Sequence, residues 1–350
     1  MTRGQRVVLA GIAVATAVAG VLRYAAEPGV APFAAAAAAL AGLAWLVAFG
    51  TEQVGARFGP GVTGFLQSTL GNLPEFFIVI FALSAGETVV AQTSLIGSLF
   101  ANALLVLGAV IVVGARSADG GVMRFSTRLP MDTATLLLVS IFIIVVTGLS
   151  VASSDKASAH IKTIDAIAAG CLLVVYATWA WSYLRSDVQA AGGKDQPAAL
   201  ALPAALGLLA LGGVGSAFVS DWFIHALDPA IRSLGISKAF AGLVIVAIAG
   251  NAVENFTGLV LARKGDFDLA ISVVKNSVAQ IAAFLFPALV LVSFAFTHTL
   301  TFQLAPVYIG ALFLTAIAVW QITGDGEALE FEGWALIALY VILATFTLYE

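Results

Sequence analysis

Apolar residues run along this chain in long blocks, and polar residues gather in short breaks between them. A membrane-crossing helix needs about 20 mostly apolar residues. Eleven blocks qualify: 7–24, 30–50, 60–83, 88–114, 130–150, 161–184, 198–220, 238–262, 268–294, 303–322 and 331–349. The breaks carry turn residues or charge: EPG at 27–29, GARFGPG at 55–61, ARSADGG at 115–121, SSDKASAH at 153–160, RSDVQAAGGKDQP at 185–197, RKGDFD at 263–268 and TGDGEALEFEG at 323–333. Backbone at bilayer depth must satisfy its own hydrogen bonds, and no block shows the alternating ten-residue pattern of a barrel strand, so helices are predicted. The expected fold class is an all-α integral membrane protein with about 11 transmembrane helices.

Composition agrees. Of 350 residues, 61% are hydrophobic and only 10% charged, whereas a soluble domain carries about 25% charged residues. With no basic run and a net charge of −4, a nucleic-acid partner is not expected; the lipid bilayer is. The single cysteine, Cys171, excludes an intrachain disulfide and a multi-cysteine metal site. No cofactor motif is present. Lys and Arg set the orientation. With the N-terminus in the cytoplasm, inner segments hold Arg3, Arg6, Arg57, Arg116, Arg124, Arg128, Arg185, Lys194, Arg263 and Lys264, and outer ones hold Arg23, Lys156, Lys162, Arg232 and Lys238. Ten against five places the N-terminus inside and, with eleven spans, the C-terminus outside. Brief loops and Ala-Gly richness point to a prokaryotic inner membrane.

Self-comparison reveals a repeat. GNLPEFF at 71–77 recurs as GNAVENF at 250–256, and in each copy a serine follows the acid by 23 residues: Glu75 to Ser98, and Glu254 to Ser277. The chain therefore reads as an N-terminal helix (1–29), a first five-helix repeat (30–184), a cytoplasmic linker (185–197) and a second five-helix repeat (198–350). Five spans per half is an odd number, so the two halves are inverted. Inverted repeats with matched Gly- or Pro-interrupted helices point to a transporter's midplane site. Small residues alone only let helices pack closely. That does not explain two acids at matched positions, each costing about 2.5–3.5 kcal/mol at bilayer depth.

Asn72 and Glu75, like Asn251 and Glu254, lie three residues apart and share a helix face. Two such faces, with Ser98 and Ser277 and the amides of Gln92, Asn102, Asn276 and Gln280 within reach, form an all-oxygen set suited to a hard cation such as calcium. Two carboxylates match one divalent ion or about two protons, and this supports exchange of an inorganic cation for protons.

These residues carry a resemblance. The stretch 62–108, with GNLPEFF and SLIGSLFANALLVLG, resembles the first α-repeat of calcium/proton antiporters of the calcium/cation antiporter superfamily; 234–292, with GNAVENF and SVAQIAAFLFPALVLV, resembles the second. GARFGPGVTG at 55–64, the Ser-Asp pair at 220–221 and FEGWALIALYVILATF at 331–346 fit the family's flanking segments. The resemblance implies the inverted five-plus-five fold and a transported calcium ion, with Glu75 and Glu254 as central ligands and proton carriers. It also places Glu52 and Asp221 at the family's acids on the helices preceding each α-repeat. Two positions depart from the pattern: Asn255 stands where a histidine is usual, and Lys275 with Asn276 replaces an apolar residue and a glycine.

Lys275 has three readings: a snorkelling side chain, a structural ion pair, or a charge within the site that alters coupling. The last would favour sodium coupling or another cation. Glu52 and Asp221 are gating candidates or plain boundary charges near span ends. Asp132 reads as a helix N-terminal acid, Glu327, Glu330 and Glu332 as a solvated loop, and Trp179, Trp181, Tyr183, Trp222 and Trp320 as interfacial anchors. An intramembrane enzyme needs a His set that is absent; His160, His225 and His298 fall in outer segments, with no HExxH. A passive channel needs no titratable pair.

Overall fold

The computed structural model describes residues 3–55, 70–190 and 200–350, with the side chains of Gly55, 128–131, 183–190 and 252–255 outside the description. Its helices are α1 (Arg3–Ala25), α2 (Val30–Gly55), α3 (Leu73–Ser84), α4 (Thr88–Ser117), α5 (Arg128–Ala152) and α6 (Ile161–Ala190), then α7 (Leu202–Leu234), α8 (Lys238–Gly250), α9 (Ala252–Arg263), α10 (Phe267–Ser293), α11 (Pro306–Thr323) and α12 (Glu330–Leu348). Among the described residues, nine helices are long and apolar enough to cross a membrane. The expected span over 60–83 is described only as α3, since 56–69, including most of GARFGPGVTG, lie outside the described residues. The span over 238–262 is divided into α8 and α9. α6 runs on to Ala190, so the start of the expected 185–197 linker is helical. α7 runs to Leu234, well past the expected end at 220, because its apolar pattern continues through WFIHALDPAIRSL.

Two helices form the centre. In its most apolar stretch α4 is 83% buried and α10 72%, against 11% for α1, which lies at the periphery and packs on α2 and α7. A helix apolar all round must be enclosed by protein or lipid. α4 and α10 take the first course. Phe142, Ile167, Leu211, Leu314 and Ile342 on the outer helices take the second, being exposed at the lipid-facing surface. α2 and α7 pack along each other through small residues: a Cβ on Gly212 would lie 2.8 Å from Val47, and one on Gly215 2.9 Å from Leu43. Phe33 stacks on Phe223 at 4.6 Å in the same seam. Without a hydrophobic force between helices in lipid, close backbone approach of this kind supplies the association.

Around the helix breaks the two halves correspond at an offset of 179, which carries Leu73–Ser84 onto Ala252–Arg263. α3 begins after a break at Gly71-Asn72, and α8 and α9 part at Gly250-Asn251. α4 holds a π-helical turn at Ala101–Val106, and α10 holds one at Ile281–Leu285, where the offset places it. Loops sort to two ends. At one, an antiparallel ribbon joins β1 (Val122–Arg124) to β2 (Glu327–Leu329), Arg116 pairs with Glu330 at 2.5 Å, and Asp268 accepts the Ser126 N–H at 2.6 Å. At the other, Lys238 bonds Glu87 at 2.7 Å and Asp228 at 3.1 Å, and Tyr308 donates to Glu350. Each group of contacts joins breaks that charge distribution had assigned to the same side. The ribbon is new: the sequence suggested a solvated loop over Glu327, Glu330 and Glu332, whereas Glu327 lies in β2 and pairs with Arg124, and Glu330 and Glu332 fall in the first turn of α12.

Candidate functional site

The site forms where the helix breaks meet the centre. Gly71 and Asn72 form a turn, and Asn72 sits at φ −88° and ψ 13°, outside the helical region. Asn251 sits at φ −99° and ψ 17° in the corresponding place. Such bridge-region residues interrupt the hydrogen-bond ladder. Pro74, in the first turn of α3, loses nothing there, because its missing N–H is one the helix start leaves unpaired. The breaks bring Glu75 to the first turn of α3, 5% exposed, facing the second half. Gly250 makes the approach possible. A Cβ on it would lie 2.8 Å from Glu75 Cγ.

Glu75 Oε1 accepts hydrogen bonds from the Ser98 hydroxyl and from Asn251 Nδ2, the latter at 2.5 Å. Asn251 Nδ2 also lies 2.8 Å from Ser98 Oγ and donates to the Ala247 carbonyl at 2.8 Å. Asn102 Nδ2 donates to Asn251 Oδ1 at 2.7 Å and to the Ser98 carbonyl at 3.0 Å. The cluster thus draws one carboxylate, one hydroxyl and two amides from both halves, all 5% exposed or less. Its rigidity comes from the crossing of α4 and α8. A Cβ on Gly97 would lie 2.4 Å from the Leu243 carbonyl, and one on Gly242 would lie 2.0 Å from Thr93 Oγ1.

The other expected site residues divide. Asn72 is buried beside the break but does not cap α3. Ser277 and Gln280 are buried on α10, and the Ser277 hydroxyl has no hydrogen-bond partner among the described residues. Glu254 falls in the first turn of α9; its side chain, like that of Asn255, lies outside the described residues. Among the described residues no group of three or more carboxylate, His or Cys side chains could hold a metal ion. Gln92 is held elsewhere: its amide donates to the carbonyls of Thr301 and Gln303, pinning the loop before α11. Glu52 and Asp221 are both exposed. Asp221 lies mid-helix rather than at a span end, because α7 continues beyond it.

Lys275 does not snorkel. It is 1% exposed, and its Nζ donates to Thr323 Oγ1 at 2.6 Å, at the end of α11. Two residues separate Lys275 from Ser277, about 200° around a helix, so the ammonium leaves from the face opposite the serine. The buried acid that sequence reasoning missed is Asp165 on α6, fully enclosed and accepting the Phe302 N–H at 3.1 Å. A carboxylate four residues inside a predicted apolar span was the available signal.

Broken helices crossing at a buried carboxylate, within two corresponding halves, define the architecture of a membrane cation exchanger. The sodium/calcium exchanger protein family matches residues 29–182 and 204–349, and the chain belongs to it. It is 30% identical over 310 residues to a vacuolar calcium ion transporter of Schizosaccharomyces pombe, covering 86% of this chain and 75% of that protein. It is also 30% identical over 333 residues to a Ca(2+)/H(+) antiporter of Synechocystis, covering 89% of each. Among solved structures, native YfkE superposes with a TM-score of 0.81 at 25% identity over 98% of both chains. The H+/Ca2+ exchanger CAX gives 0.79 at 15% identity, over 99% of this chain and 89% of that one, which speaks for the fold alone.

Proposed function

We propose that this protein is a secondary active antiporter that exchanges calcium for protons by alternating access, with Glu75 and Glu254 as the groups that carry either ion. The observation that carries the reading is Glu75: a membrane-buried carboxylate held by donors from both halves at a helix break. The printed functions of the relatives support the choice of ions.

The chemistry follows from the donors. The Ser98 hydroxyl and the Asn251 amide donate to Glu75. A hydroxyl rotates freely and offers two lone pairs, so Ser98 can turn its oxygen to a calcium ion that Glu75 attracts. Ser277, with its hydroxyl unpartnered among the described residues, is the corresponding oxygen of the second half. Calcium needs six to eight oxygens; Asn72, backbone carbonyls freed at the breaks, and water complete the set. Proton binding at the two acids discharges the ion. α2 and α7, joined along their glycine seam, move together with α3 and α8–α9 against the rest. Arg and Lys distribution supports an N-terminus in the cytoplasm, and brief loops with Ala-Gly richness support a prokaryotic inner membrane.

Asn255 and Lys275 were the two grounds in the sequence for altered coupling, and the side chain of Asn255 lies outside the described residues. The bond of Lys275 to Thr323 directs it away from Ser277, which weakens the sodium-coupled reading. The test is purified protein in liposomes with a pH dye inside. A calcium gradient drives proton flux, and Glu75→Gln abolishes it. Persistent exchange in that variant removes Glu75 from its role. Flux driven by sodium but not by protons replaces the coupling.

A further inference from the structure

We infer that Asn102 is a positioning residue that fixes Asn251 as a hydrogen-bond donor to Glu75, and so makes the two halves of the site chemically unequal. The inference rests on the reading of Glu75 as the exchanging carboxylate.

Asn102 is fully buried at the start of the α4 π-turn, one turn after Ser98. Its Nδ2 donates backwards to the Ser98 carbonyl at 3.0 Å. A backbone carbonyl only accepts, so the amino end of Asn102 has to face it; the reversed amide would set two oxygens against each other. The same Nδ2 reaches Asn251 Oδ1 at 2.7 Å. Asn251 is thereby held with its oxygen toward Asn102 and its amino end toward Glu75 Oε1, Ser98 Oγ and the Ala247 carbonyl. A relay results: the Ser98 carbonyl orients Asn102, Asn102 and the Ala247 carbonyl together orient Asn251 from its two ends, and Asn251 donates to the acid. Asn102 Oδ1 is buried without a hydrogen-bond partner among the described residues. The donor end alone is engaged, as a positioning role requires.

Among the described residues the relay has no counterpart in the other half. The offset of 179 carries Asn102 to Ile281, which has no donor to give, so Asn72 is not set in the same way. Asn251 and Asn72 occupy equal places in the repeat, yet among the described residues only Asn251 has its amide oxygen committed. The first carboxylate therefore meets an amide NH2, and the oxygen ligands for a cation have to come from elsewhere.

A double-mutant cycle tests the relay, because residues that act through one another are not additive. Asn102→Leu, Asn251→Leu and the double variant are compared for calcium-driven proton flux in liposomes over a range of pH, and for melting temperature. Asn102→Leu lowers kcat/KM about tenfold and moves the pH profile to higher pH, because an ionised Glu75 loses an oriented donor. In the Asn251→Leu background it changes kcat/KM by less than about twofold and leaves the profile in place. Independent, multiplying effects overturn the inference. Asn102→Asp, nearly isosteric, guards against misfolding of the Leu variants: an acceptor at 102 repels the Asn251 oxygen, which the Ala247 carbonyl keeps from turning round, and the displaced amide disturbs the profile, whereas an undisturbed profile or tighter calcium binding overturns the positioning role. Should the wild-type protein exchange no calcium for protons, the functional reading fails. The coupling of Asn102 to Asn251 is then decided by melting temperatures alone, with additive losses counting against it.

Discussion

α4 and α10 stand in corresponding places, each enclosed by the bundle, each with a buried serine and a π-turn just beyond it. Their neighbours differ. Where α4 has Ile96, Gly97 and Asn102, α10 has Lys275, Asn276 and Ile281. α4 is fitted for contact: Gly97 lets the backbone of Leu243 approach, and Asn102 reaches across to Asn251. α10 sends a buried ammonium the other way, to Thr323. A duplicated site thus keeps its acids, its serines and its breaks in both copies, while the residues that set helix separation and amide direction diverge. The architecture is symmetric and the chemistry is not.

The largest test of this contrast removes what the halves share. Glu75→Gln and Glu254→Gln each abolish calcium-driven proton flux, by more than about a hundredfold, since a neutral amide can neither carry a proton nor offset a divalent charge. Activity surviving in one variant only would extend the asymmetry to the acids themselves. Next comes Gly97→Ala. Its Cβ meets a backbone carbonyl that cannot move aside, and overpacking costs about 1–3 kcal/mol, seen as a melting point several degrees lower in detergent. Asn276→Ala, at the matched position, already replaces a larger side chain and falls by much less.

A smaller effect, of opposite sign, is expected at Lys275. Replacing a buried charge by a similar apolar side chain is often neutral or stabilising, so Lys275→Met melts no lower than the wild-type protein and still exchanges calcium. A collapse of transport with the fold intact would return Lys275 to the site. The smallest effect belongs to Lys238→Met. Its contacts to Glu87 and Asp228 lie at the surface, where such pairs contribute at most about 1 kcal/mol; the loss is read as a melting shift that vanishes at high salt.

Much of this was legible in the chain. The two Gly-Asn pairs located the breaks, and the 23-residue spacing joined Glu75 to Ser98, which do meet. Those features are local or repeated, so spacing encodes them. The partners of Asn102, Lys275 and Gln92 were not legible, because they depend on how each helix is rotated about its axis. Pattern fixes which residues share a face, whereas packing decides what that face meets. Asp165 escaped for another reason. A lone acid near a helix end looks like a boundary charge until a loop, here Thr301–Gln303 pinned by Gln92, folds over it.

The ribbon at one end of the bundle has a consequence for how the chain is made. β1 leaves the ribosome about 200 residues before β2, and at about 5–20 residues per second that is a delay of about 10–40 s. For that time Val122–Arg124 is a strand edge without a partner, and such edges recruit other chains. Its brevity, three residues with Arg124 at one end, limits the hazard. Closure of Met123 onto Ala328, both fully enclosed once paired, then marks the moment at which the late half has docked on the early one.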